Sequence, residues 1–148
     1  MNENEFWSII GMLNWEESGD DEAVVEPVVN YLSQKTDEEI FQFEELLAQK
    51  LFALDTKAHV KEIGEDAYVN EGEYFSVDGF LYSRCVVVAN GKELFQNVLE
   101  NPNEFPKDME FEAILYVSQE AYEQKNDKEW EYVSPTDYET YKNASGWK

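Results

Sequence analysis

A chain of 148 residues with 33 Asp plus Glu against 11 Lys plus Arg carries a formal charge of -22, and such a surface repels nucleic-acid phosphates and anionic bilayers. Apolar residues make up 43% and aromatics 15%, enough material for a packed core, so the charge does not read as disorder. The longest apolar run, Cys85-Val86-Val87-Val88-Ala89, falls far short of the roughly 20 residues that cross a bilayer.

Phe6, Ile9, Ile10 and Leu13 recur at i, i+3, i+4 and i+7 and predict a first helix from about Asn4 to Leu13. Polar residues with Gly19 predict a loop from Asn14 to Asp21. Val24, Val25, Val28, Val29 and Leu32 mark a second helix. Proline is tolerated in a first helical turn, so Pro27 sets the expected start within Glu22–Glu26. Thr36 followed by Glu39 has the spacing of a capping box. Ile40, Phe43, Leu47, Leu51 and Leu54 then form the narrow apolar seam of a third helix.

A shorter fourth helix is expected from Asp55 to about Ile63, ended by Gly64. Residues Glu65 to Ser76 read as irregular, with Gly72 as punctuation. Asp78 is positioned to cap a fifth helix over about Gly79 to Ala89, closed by Asn90-Gly91. The β-branched run Val86-Val87-Val88 keeps a strand as the competing reading there. Lys92 to Glu100 predicts a sixth helix that buries Leu94, Phe95, Val98 and Leu99 and stops at Asn101-Pro102. A last helix is expected from about Glu110 to Lys125. Beyond it Trp130, Tyr132, Tyr138, Tyr141 and Trp147 are spread among polar residues, with room for a short strand at Trp130 and Tyr132. The expectation is a mainly α, compact single domain over 1-148: a bundle of about six or seven helices in 1-125 and an extended aromatic tail, 126-148, packed on it.

The segment Ser76-Val77-Asp78-Gly79-Phe80-Leu81-Tyr82-Ser83-Arg84, followed by Val87-Val88-Ala89-Asn90-Gly91, resembles the S-D-D-x-F-x-x-F-R-x-W-L-x-x-x-G core of a bacterial family of unknown function, DUF4240. Phe6-Trp7-Ser8-Ile9-Ile10 resembles its F-W-x-x-I opening, and Thr36 to Phe43 the start of its third helix. Tyr138-Glu139-Thr140 with Gly146-Trp147 resembles the Y-E-T…G-W ending of some members. Val77 stands where the family often has a second Asp, Ser83 where it has Phe and Val86 where it has Trp. The resemblance implies a helical fold and implies no activity.

Few residues carry legible chemistry. His59 and Cys85 are the single histidine and cysteine, which leaves no zinc site of those ligands and no internal disulfide. Neither a calcium-loop spacing nor a glycine-rich phosphate loop is present, so no metal, cofactor or catalytic residue is assigned. Cys85 reads as a buried small hydrophobe and His59 as a partly exposed helix residue. The acidic start at Glu3 and Glu5 is unlike a signal peptide, and the expected setting is cytoplasmic.

Two groups stand out. Arg84, with Asp78 and Tyr82, is a candidate ligand or anion anchor, with Tyr68 and Tyr74 as further lining. The competing structural role for Arg84 is to hold helices together through a carboxylate or several carbonyls. The other group is the stretch before residue 35, which holds no Lys or Arg. There Glu16, Glu17, Asp20 and Asp21 with Trp7 and Trp15 form a candidate docking surface for a basic protein. The leading functional reading is a non-enzymatic acidic interaction module, one form of which is an antitoxin-like immunity protein. The alternative is a small-molecule or anion binder, or an enzyme, with its pocket around Arg84.

Overall fold

The computed structural model describes residues 1–67 and 74–148. Gly72 and Tyr68 lie outside the described residues. Seven α-helices and four short 3-10 turns follow one another, with no strand among the described residues. The helices are α1 (Glu3–Ile10), α2 (Asp21–Leu32), α3 (Asp37–Ala53), α4 (Lys57–Val60), α5 (Val77–Ala89), α6 (Lys92–Glu100) and α7 (Val117–Asn126). The 3-10 turns are Trp15–Glu17, Pro102–Glu104, Glu112–Tyr116 and Ala144–Trp147. The expected all-helical bundle is therefore present, and residues 130, 132 form no strand.

α5 occupies the centre. Nine of its thirteen residues, Phe80, Leu81 and Ser83 to Ala89, are buried, and a helix buried all round belongs inside a core. The run Val86-Val87-Val88 is helical because tertiary burial overrides its modest strand preference. α5 packs on α3 and α6, while α7 packs on α2 and α3. The seam expected on α3 is buried throughout, with Ile40, Phe43, Leu47, Leu51 and Leu54 all at 0% exposure.

Helix starts follow side-chain capping more closely than apolar periodicity. Asn2, Asp20, Thr36, Thr56 and Ser76 each accept a hydrogen bond from the N–H three residues on, which satisfies an otherwise orphan donor. Ser76 is thus the cap of α5, and Asp78, expected in that place, lies exposed in the first turn. The Thr36 box is half formed. Thr36 Oγ1 accepts from Glu39 N–H at 3.1 Å, but the Glu39 carboxylate accepts the Thr36 hydroxyl proton rather than reaching back to a backbone amide.

Several boundaries differ from expectation. α2 begins at Asp21, which places Pro27 beyond the first turn. The nearby Val24 carbonyl accepts from Asn14 N–H at 2.9 Å, so the preceding connection bonds to the helix close to the proline. The fourth helix shrinks to one turn, and His59 is buried rather than partly exposed. Its imidazole lies between Thr56 Oγ1 and the Val98 carbonyl, with Nε2 2.9 Å from the carbonyl oxygen. The last helix begins as a 3-10 turn and becomes α-helical only at Val117. Leu99, expected inside, is 40% exposed.

Candidate functional site

The tail crosses the bundle and makes two unlike arrangements beneath it. The first is built on α5. Arg84 is 0% exposed, and its guanidinium donates to the Leu51 carbonyl at 2.9 Å, the Tyr138 carbonyl at 2.8 Å and Thr140 Oγ1 at 3.1 Å. Its carbon centre stands 4.6 Å above the Phe80 ring, a cation–π geometry. The Thr140 hydroxyl in turn donates a hydrogen bond to the Val77 carbonyl at 2.8 Å. Burial pulls the Arg84 pKa down, opposed by the charge of Asp55. Arginine remains charged under such a shift.

Asp55, at the end of α3, is fully buried and completes this arrangement. It accepts from Tyr141 N–H at 3.2 Å, Asn143 N–H at 3.0 Å and Trp147 Nε1–H at 2.9 Å. Tyr141 has φ 80°, a backbone state costly for a bulky residue. Gly146 passes so close to the end of α3 that a Cβ there would stand 2.8 Å from the Asp55 carbonyl oxygen. The Trp147 ring lies parallel to that of Phe75, with centroids 6.1 Å apart.

Arg84 therefore spends its terminal Nη donors on the chain's own oxygens while Nε has no partner, and it lines none of the clefts described below. Asp78 is exposed and, among the described residues, forms no ion pair with Arg84. Tyr82 is half-buried, Tyr74 is 93% exposed, and the structure does not gather these tyrosines around the guanidinium.

The second arrangement is an open cleft of about 520 Å³. Glu44 of α3, Tyr116 and Gln119 form one side, and tail residues from Trp130 to Glu139 form the other. Its tail wall is pinned. Trp130 N–H donates to the Glu123 carboxylate at 3.0 Å, Thr136 Oγ1 donates to Glu45 at 2.6 Å, and the Ser134 hydroxyl bonds the same carboxylate. Tyr132 stacks on Phe41 with centroids 4.5 Å apart and planes 10° apart. Trp130 packs edge-on against Tyr132 and Tyr122.

Glu44 is the unusual group in this wall. Its Oε2 is shut off from solvent and has no hydrogen-bond partner. Burial pushes its pKa up; proximity to Ser118 tempers that shift and the charge of Glu45 adds to it. Ser118 Oγ is near, yet it too makes no bond of normal geometry. Burial likewise raises the Tyr138 phenol. No Lys or Arg lines this cleft, whereas Glu44, Asp137 and Glu139 do.

The acidic stretch lies elsewhere. Trp15, Glu16, Glu17 and Asp20 on the connection from α1 to α2, and Asp21 at the start of α2, are exposed together, with Trp15 5.1 Å from the Phe111 ring. A groove of about 550 Å³ continues from there, with Asp20, Glu22 and Glu26 facing Glu120 of α7. Partial burial, Glu22 and Glu123 raise the Glu120 pKa. Trp7 is not part of this surface. It packs on Phe95, 5.6 Å away, beside a different groove that contains Lys50 and Lys92.

Asp55, Thr140 and Glu44 were not singled out from the sequence. Asp55 stands at the start of the expected fourth helix, where an acid is unremarkable, and Glu44 is one acid among 33. The legible signal was the tail, whose aromatics need a surface to cover. Residues 1–124 match the model of a family described as Protein of unknown function (DUF4240). No curated protein and no solved structure matches the chain. The matched region ends within α7, so the tail and the likeness at Tyr138-Glu139-Thr140 lie beyond it.

Proposed function

The chain belongs to the DUF4240 family, whose description names no activity, and from that premise we propose that it is a non-enzymatic acidic module that docks on a basic protein. The observation that carries this reading is the groove between α2 and α7. Asp20, Glu22, Glu26 and Glu120 face one another there without a base among the lining residues. Burial raises the Glu120 pKa, and repulsion from the charges of Glu22 and Glu123 adds to it. A cationic partner relieves that repulsion and gains the interaction the fold leaves unmet.

The adjoining Trp15 supplies an apolar anchor, 40% exposed, at the edge of the acidic run. A field of this sign accelerates encounter with a basic surface and weakens with salt. Inhibition of a basic nuclease toxin is one form such a role takes, and a bacterial, cytoplasmic setting belongs to the same reading. Arg84 supports the alternative ligand-anchor reading poorly, because its terminal nitrogens already bond the chain's own oxygens and it lines neither cleft.

Affinity capture tests the proposal. The tagged protein is incubated with lysate of its host at low salt, and the same is done with Asp20→Lys/Glu22→Lys/Glu26→Lys. Retention of one basic protein by the parent chain and its loss with the triple variant is the expected result. Equal retention by both contradicts the assignment of the surface.

A further inference from the structure

We infer that the cleft between α3 and the C-terminal tail is a receptor for the side-chain ammonium of a lysine. This rests on the reading above, since the lysine is one presented by the basic partner, but it concerns a different surface and different residues.

The chemistry of the walls selects the ligand. Trp130, Tyr132 and Tyr138 bring aromatic rings to one cavity of about 520 Å³, a size common among small-ligand sites. Aromatic faces attract cations through the ring quadrupole. An apolar ligand would suit the rings but not Glu44, Asp137 and Glu139 on the same walls. An anion would meet only like charge. A lysine side chain fits both features, with an alkyl stem for the rings and a compact cation for the carboxylates.

The site is built in advance. The bonds from Ser134 and Thr136 to Glu45, and from Trp130 to Glu123, hold the tail wall in place. The Tyr116 hydroxyl is oriented by its 2.7 Å bond to Glu112. A wall fixed by its own contacts loses little freedom when a ligand enters. Glu44 adds a reason for the site to be filled by a cation. Its carboxylate has one oxygen without any hydrogen-bond partner, and a nearby positive charge compensates it.

The test uses the full chain and N-acetyl-lysine methylamide as the probe, with its uncharged counterpart N-acetyl-norleucine methylamide as control, followed by 1H–15N NMR. The lysine probe is expected to shift the Trp130 indole and the amides of residues 130–139, and the norleucine probe to bind about fivefold more weakly or worse. Glu44→Gln, which keeps shape, is expected to weaken the lysine probe about fivefold with the rest of the spectrum unmoved. Trp130→Leu provides a second variant that removes the ring rather than the charge, with a similar loss expected. Equal binding of both probes, shifts spread over α2 instead of the tail, or unchanged affinity in both variants would overturn the inference. Loss of the lysine site with continued capture of a basic protein through α2 overturns this inference alone. Localised lysine binding in a chain that captures no basic protein instead removes the partner reading.

Discussion

The two arrangements beneath the tail use the same kinds of residue to opposite ends. Around Arg84 and Asp55 every strong group except Arg84 Nε meets a partner inside the chain. In the cleft a few residues earlier, a carboxylate oxygen is left without one and aromatic rings open onto a cavity. A buried charge whose outer donors are bonded to the chain holds structure, and removing it leaves its partners stranded. A partnerless carboxylate oxygen shut off just behind the wall of a cleft weakens the fold slightly, and its charge acts on whatever enters that cleft. That contrast separates the residue most conspicuous in the sequence, Arg84, from the place where binding chemistry is unmet.

The sharpest way to break the contrast is at the arginine. Arg84→Ala strands two carbonyls and a hydroxyl and loosens the tail, with an expected loss of about 3 kcal/mol. In a domain of this size that lowers Tm by roughly 10 °C, read by calorimetry. Asp55→Asn comes next. It removes the charge that favours Arg84 and weakens three bonds to the tail, with an expected cost of about 2 kcal/mol. Early proteolysis of residues beyond 138, before the core is cut, is the accompanying sign. A variant as stable as the parent would mean that the tail is held by its aromatic packing alone.

At the cleft the expected sign reverses. The raised Glu44 pKa means that its contribution to stability is present below its ordinary value of 4.5 and is lost as pH rises through that value to the higher folded one. Glu44→Gln is therefore expected to stabilise the chain at pH 7 by roughly 1 kcal/mol, with the gain vanishing near pH 4. Urea melts at the two pH values measure it. The smallest effect concerns His59, whose pKa burial lowers from 6.5 against the bond to Val98. Its contribution is present above pH 6.5 and is lost as pH falls below it, because only the unfolded chain then takes up the proton. His59→Gln is expected to flatten that part of the stability profile.

Much of the bundle could be read from apolar spacing, because α1, α2, α3 and α6 each present a stripe to the core. α5 was harder for a physical reason. It is buried on all sides, so no stripe distinguishes a helix from a strand in Val86-Val87-Val88. Its start differs from the expected one because Ser76 and Asp78 are both good caps, and only the Ser76–Gly79 bond decides between them. The sequence marks Arg84 as a partly buried guanidinium that needs a carboxylate or several carbonyls as partners. Its actual partners, Leu51, Tyr138 and Thr140, lie 33, 54 and 56 residues away, beyond any local pattern. Glu44 was hidden for a different reason. Its burial depends on packing distant in sequence, with Ser118 of α7 beside it, and no sequence spacing records that.

The most direct measurement is the titration of the Glu44 side-chain carboxyl by 13C NMR, free and with saturating N-acetyl-lysine methylamide. In the free protein the midpoint is expected above 4.5, and on binding it is expected to fall as the ammonium compensates the charge. An ordinary midpoint in the free protein, or one that stays in place while the probe is bound, would contradict an unmet carboxylate awaiting a cation.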